Sequence, residues 1–101
     1  MHLTTSEQRA LDAVDGTAAV RLLTDLLMIP SMPGSDAEAE IQHVLAERML
    51  RLGLDVDLWQ IDVATAAATP GFPGMEAERS DAWGLVATSP GAGSEEAALI
   101  L

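Results

Sequence analysis

The sequence predicts an α/β fold in which N-terminal helices precede the strands of a mixed sheet. Three observations carry this. Apolar residues recur at helical spacing through the first half of the chain. They alternate at a spacing of two from Leu54 onward. The boundaries between these stretches carry cap and turn residues: Thr4, Ser35, Gly53 and the Pro70–Gly74 cluster.

The first helix is expected over Thr4–Val14. Thr4 and Glu7 have the spacing of a capping box, in which side chain and backbone satisfy each other's open groups. Asp15-Gly16 is expected to close it. A second helix runs from about Thr17 to Met28, with Ala19, Leu22, Leu23, Leu26 and Leu27 forming a wide apolar stripe. Pro30 stops it and pushes Ile29 out of the helical region. Pro30, Pro33 and Gly34 make Ser31–Ser35 a loop.

Ser35 and Glu38 form a second expected capping box at the head of a third helix. Asp36 and Glu38 sit where the helix dipole favours acids, and Arg48 and Arg51 where it favours bases. Its expected buried face is Ile41, Val44, Leu45, Met49 and Leu52, with Gly53 as the residue that ends it.

Leu54–Asp62 alternates like a strand. Its apolar phase slips between Leu58 and Trp59, which predicts a bulge there or burial on both faces. The alanines at 64–68 allow a helical turn, and Pro70-Gly71-Phe72-Pro73-Gly74 forces a loop. Trp83–Thr88 and Ala97–Leu101 read as two strands joined by turn residues at 89–94, hence a hairpin. The uniformly apolar end, Ala97-Ala98-Leu99-Ile100-Leu101, has the pattern of an interior strand covered on both faces. The expectation is a chain cut inside a larger sheet.

Composition excludes several functions. The 101 residues carry a net charge of −11 and no lysine. Eight acids face only Arg79 after residue 52. Nucleic acid and anionic membranes both require a basic footprint, so neither is an expected partner. No cysteine is present, which removes disulfide scaffolds, zinc ribbons and thiol nucleophiles. The N-terminus has neither the basic nor the apolar region of a signal peptide. A cytoplasmic location is expected.

Few side chains invite a chemical reading. Glu40, His43 and Glu47 share one helix face, and Glu-x-x-His is a known two-metal spacing. His43 lies about 200° around the helix from Ile41 at 100° per residue, so a solvated face is the expected state. His2 has no partner. Ser31 and Ser35 lack a His–Asp pair and a strained elbow. Gly91-x-Gly93 lacks the rest of a phosphate loop. Asp55 and Asp57 share a strand face, with solvent exposure the default. The loop at Pro70–Gly74 is read as structural. No catalytic, metal or substrate-binding residue is assigned.

The ordered set resembles a known family. Leu22-Leu23-Thr24-Asp25-Leu26-Leu27-Met28-Ile29-Pro30-Ser31 resembles the helix ending in Ile-Pro-Ser that opens the acetylornithine deacetylase/succinyl-diaminopimelate desuccinylase family. Gly34 and the acids Asp36, Glu38 and Glu40 follow. Leu45–Leu54, with Leu52-Gly53, resembles its Leu-x-x-Leu-Gly helix end. Pro70-Gly71-Phe72 and the strands at Trp83–Thr88 and Ala97–Leu101 complete the order. The resemblance covers residues 17–101, leaving 1–16 as an N-terminal helical extension. Thr88 departs from the arginine often found at the end of the second strand, which leaves the subgroup open.

The resemblance implies the first part of a two-metal peptidase catalytic domain, truncated before its metal-binding strand end. In such a family the strand resembling Ala97–Leu101 leads into a Gly-His-x-Asp segment that ligates metal. The implied parent is an amidohydrolase: an N-acyl amino-acid deacylase or a peptidase. It would hold two zinc or cobalt ions, act on a small amide substrate, and dimerise through a separate lid domain. A dipeptidase or carboxypeptidase of the same fold is a further reading. The expected state of these 101 residues alone is inactive and partly ordered. The rival from another class is a small acidic binding module without chemistry.

Overall fold

The computed structural model describes residues 2–91 and 100–101. The elements are α1 (Thr5–Asp12), α2 (Gly16–Leu27), α3 (Asp36–Arg51), β1 (Asp55–Gln60), α4 (Val63–Ala68) and β2 (Trp83–Thr88). The architecture is mixed α/β, with a two-stranded antiparallel sheet of β1 and β2. The strand expected at Ala97–Leu101, and the hairpin built on it, fall on 97–99, outside the described residues. Ile100 and Leu101 are exposed and in neither helix nor strand.

The starts of α1 and α2 can each be traced to a side chain. The Thr4 hydroxyl accepts from the Glu7 amide at 3.2 Å, and the Glu7 carboxylate accepts from the Thr4 amide at 2.6 Å. The expected capping box is therefore complete. The sequence predicts that Asp15-Gly16 closes α1, but α1 ends at Asp12 with Ala13 as its C-cap. The Asp15 carboxylate accepts from the Ala18 amide at 3.0 Å and so starts α2. Both roles suit an Asp-Gly pair, and the free amides of the next helix decided between them.

The capping box expected at Ser35 does not form. The Ser35 hydroxyl donates backward to the Met32 carbonyl at 2.6 Å. Glu38 accepts from the Gly34 amide at 2.7 Å, one residue before the N-cap. The far end of α3 follows expectation. Gly53 has φ +81°, its amide donates to Leu50, and that of Leu54 to Met49. These are the two bonds of a Schellman motif.

The strands pair without interruption from Asp55 opposite Thr88 to Gln60 opposite Trp83. No bulge forms at Leu58-Trp59. The phase slip has another cause: alternation turns Val56 and Leu58 to one face of the ribbon and Trp59 to the other. Val56 and Leu58 are half-buried, whereas Trp59 is 42% exposed.

The packed face of α3 matches the expected one in part: Ile41, Leu45 and Met49 are half-buried, whereas Val44 and Leu52 are exposed. Its one buried residue is Ala46, 4% exposed. Ala39, Gln42 and Met49 share that side at helical spacing and are half-buried. Val44 and Leu52 point elsewhere, with Leu52 72% exposed. A small residue at the centre lets the helix approach both strands; Val44, Leu50 and Leu52 are scattered around α3, and the second apolar stripe is that of α2.

These side chains have little cover. Leu23, Leu27, Met28 and Leu50 are all exposed, Leu27 at 74%. Leu22, Leu26 and Ile29 are half-buried. The accessible surface is 8458 Å², against about 5,500 Å² for a folded monomer of this mass. The radius of gyration is 17.7 Å, against about 13 Å for a compact chain of this length.

Two glycines separate backbone strain from steric contact. Gly34 and Gly53 share φ +81°. A Cβ on Gly53 would meet nothing, whereas one on Gly34 would lie 2.6 Å from the Glu78 carbonyl oxygen. Gly53→Ala is expected to cost about 1–2 kcal/mol locally through its left-handed backbone. Gly34→Ala is expected to cost more, because the 77–79 segment must also move. Amide hydrogen exchange at Leu54 and at residue 34 measures the two.

Candidate functional site

The region richest in interactions joins the head of α3 to the segment before β2. Glu38 lies in the first turn of α3 and Arg79 in that segment. The Arg79 guanidinium donates through Nη1 to Glu38 Oε1 at 2.6 Å, while Glu38 Oε2 accepts from the Gly34 amide. One carboxylate thus holds the α2–α3 turn and the 76–82 segment together. Both side chains are mostly covered. The Arg79 Nε is buried and has no acceptor.

Beyond Arg79 lies a depression of about 280 Å³, walled mainly by Ile61, Val63, Ala66, Phe72 and Met75. The Pro70–Gly74 turn, with Gly71 and Gly74 at positive φ, supplies Phe72 to one wall. Asp62 caps the opposite wall, α4. Its carboxylate accepts from the Thr65 amide at 3.0 Å and from the Thr65 hydroxyl at 2.7 Å. The Gln60 amide nitrogen donates to Asp81 at 2.8 Å, and the Ile61 amide to Ala82 at 2.8 Å, so strand-like pairing extends past β1.

Chemically this is a mainly apolar cup with two charged side chains on its lining, Glu76 and Arg79, the latter paired with Glu38. It contains no hydroxyl or thiol beside a base. Among the described residues no three His, Asp or Glu side chains gather as a metal would require.

The residues singled out from the sequence lie apart. Glu47 pairs with Arg51 at 3.2 Å on an exposed surface. His43 is exposed, as expected for a solvated face, but it is not free of the core. Its ring meets Trp83 edge-on, with centroids 4.6 Å apart. His43 Nδ1 lies 2.8 Å from the Ala39 carbonyl; a carbonyl only accepts, so Nδ1 carries the proton and Nε2 faces outward. Ser31 is half-buried, and Ser35 is spent on Met32. Asp55 and Asp57 are exposed on the outer face of β1. Gly93 lies outside the described residues.

Sequence reasoning missed the Glu38–Arg79 pair. A signal was present: Arg79 is the single cation after residue 52. It also missed Gly84 as the seat of Trp59, because register decides that pairing. No helix of the described residues is long and apolar enough to cross a membrane.

No family model matches this chain, and no curated protein and no solved structure matches it.

Two predictions follow from these bonds. Hydrogen bonds from Thr4 hold the Glu7 carboxyl below its ordinary 4.5, those from Thr65 hold Asp62 below its ordinary 3.8. A depressed folded-state pKa stabilises at pH above the ordinary value and is lost as pH falls through the depressed one. The starts of α1 and α4 are therefore expected to fray only in acid below those ordinary values, seen as low carboxyl ¹³C titration midpoints. Separately, Glu38→Gln is expected to speed Gly34 amide exchange about tenfold, since bonds to charged groups contribute about 1.5–3 kcal/mol and partial exposure trims that. Glu47→Gln is expected to have almost no effect on amide exchange in α3, because exposed pairs contribute about 0–1 kcal/mol.

Proposed function

We propose that these residues are the opening segment of a two-metal amidohydrolase that removes an N-acyl or amino-acid group from a small substrate. The observation that carries the reading is order. Helix α2 is followed by Ile29-Pro30-Ser31, α3 by Leu52-Gly53 and strand β1, and α4 by a loop with Pro70-Gly71-Phe72 and strand β2. The uncovered apolar side chains on α2 and α3 support it further, since a larger catalytic domain supplies the missing cover. On this reading the two-stranded ribbon joins a mixed sheet, with zinc or cobalt ions bound by residues outside 1–101. Two such ions would supply activation of water and polarisation of an amide carbonyl, and none of residues 1–101 is assigned to hold them. Dimerisation through a lid domain and a cytoplasmic location belong to the same proposal.

The test uses the full-length polypeptide. Its sequence is expected to continue from Leu101 into Gly-His-x-Asp, and the purified protein to hydrolyse N-acyl amino acids only when metal is supplied. A full-length polypeptide without that segment and without such activity contradicts the proposal.

The second reading, an acidic binding module, is favoured by the absence of a catalytic constellation among the described residues and by the −11 charge. Zinc titration bears on both readings. Residues 1–101 are expected to give only weak heats from surface carboxylates. A one-to-one site of sub-micromolar affinity that His43→Ala abolishes would contradict this.

A further inference from the structure

We infer that the outer face of the β1–β2 ribbon is a docking surface for an arginine-bearing peptide segment of a partner protein. The ribbon has two unlike faces. Val56, Leu58, Leu85 and Ala87 share the half-buried face, the side on which α3 packs. Asp55, Asp57, Trp59, Val86 and Thr88 alternate onto the opposite face, and all five are exposed.

Trp59 stands opposite Gly84 in the register. The six-membered half of its indole occupies the space that a Cβ on Gly84 would need. The glycine is thus a seat for the ring, which rests on backbone yet stays 42% exposed. A large aromatic held in place on an open sheet face is a stacking platform.

The surroundings select the ligand's charge. Asp57 is two residues from Trp59 on the same face, about 6.5 Å along the strand, and Asp55 lies one step further. Neither aspartate forms an ion pair or side-chain hydrogen bond among the described residues; the ion pairs present are Glu47–Arg51 and Glu38–Arg79. A cation above the indole gains from the ring's negative face. A guanidinium suits this better than an ammonium, because its flat fork stacks on the ring while its edge meets a carboxylate. Two aspartates at successive same-face positions match an extended segment with basic residues at alternate positions. Net charge −11 steers such a segment toward the chain. This surface does not depend on the amidohydrolase reading.

The probe is an end-blocked peptide alternating arginine and glycine, with a citrulline-for-arginine peptide as control. Binding is followed by NMR on the 101-residue chain, where the Trp59 and Trp83 indole signals separate the two faces of the ribbon. The arginine peptide is expected to shift the Trp59 indole and the Asp57 and Val86 amides saturably, more weakly as salt rises. Trp59→Leu and the Asp55→Asn/Asp57→Asn double variant are each expected to weaken binding at least fivefold. The double variant leaves the ring on its glycine, so unchanged β2 amide signals show that the ribbon persists. Equal binding of the citrulline peptide would overturn the inference. So would unchanged affinity in both variants, which signifies diffuse attraction to an acidic chain, or shifts centred on α2 instead of Trp59.

Discussion

The packing between elements of this chain rests on α3 lying against a two-stranded ribbon, with Ala46 the one buried residue of that helix. A two-stranded sheet is marginal alone and needs a helix or further strands on its apolar face. Here α3 supplies that cover, and its small central residue sets the distance. The Schellman end at Gly53 turns the chain from α3 straight into β1. The Glu38–Arg79 clasp fixes the other end of the same helix to the segment that leads into β2. Helix, turn, strand and clasp thus form one closed mechanical unit, and α1 and α2 extend from it.

That unit leaves several large apolar side chains of α3 and α2 uncovered. The Ala39–Gln42–Ala46–Met49 side meets the ribbon. The bulkier Val44, Leu50 and Leu52 remain open, as do Leu23, Leu27 and Met28 on α2. Burying a large aliphatic side chain contributes roughly 1.5–3 kcal/mol, and net stability of a complete domain is only about 5–15 kcal/mol. A handful of uncovered leucines is therefore comparable with the whole margin. The proposed larger catalytic domain is one way to cover them.

The sequence was most legible where local chemistry decides. Thr4 and Glu7 sit three apart, and both capping bonds form. Gly53 follows a basic helix end, and it adopts the left-handed backbone required of it. Pro30 and the Pro70–Gly74 cluster break structure where they must. Legibility failed where a neighbour distant in sequence intervenes. Glu38 was read as a capping partner for Ser35, but Arg79 and the Gly34 amide compete for the same carboxylate. The apolar phase slip at Trp59 predicts a bulge or burial on both faces, but Gly84 across the ribbon leaves room for the ring, which stays exposed, and the register runs through. On α3 the apolar pattern locates Ile41, Leu45 and Met49 on the packed side but not Ala46 at its centre, because close approach to a sheet favours a small residue. Asp15 offered equal grounds for ending α1 and for starting α2. The candidate site shows the same limit: pairing Arg79 with Glu38 requires knowing which loop passes the head of α3.

The described residues hold an ordered helix–ribbon unit but, among themselves, not a complete core. Sedimentation equilibrium combined with thermal melting of this chain tests this most directly. The account predicts a broad, weakly cooperative transition and self-association through the open apolar stripe. A sharp, reversible, two-state transition from a clean monomer would contradict it.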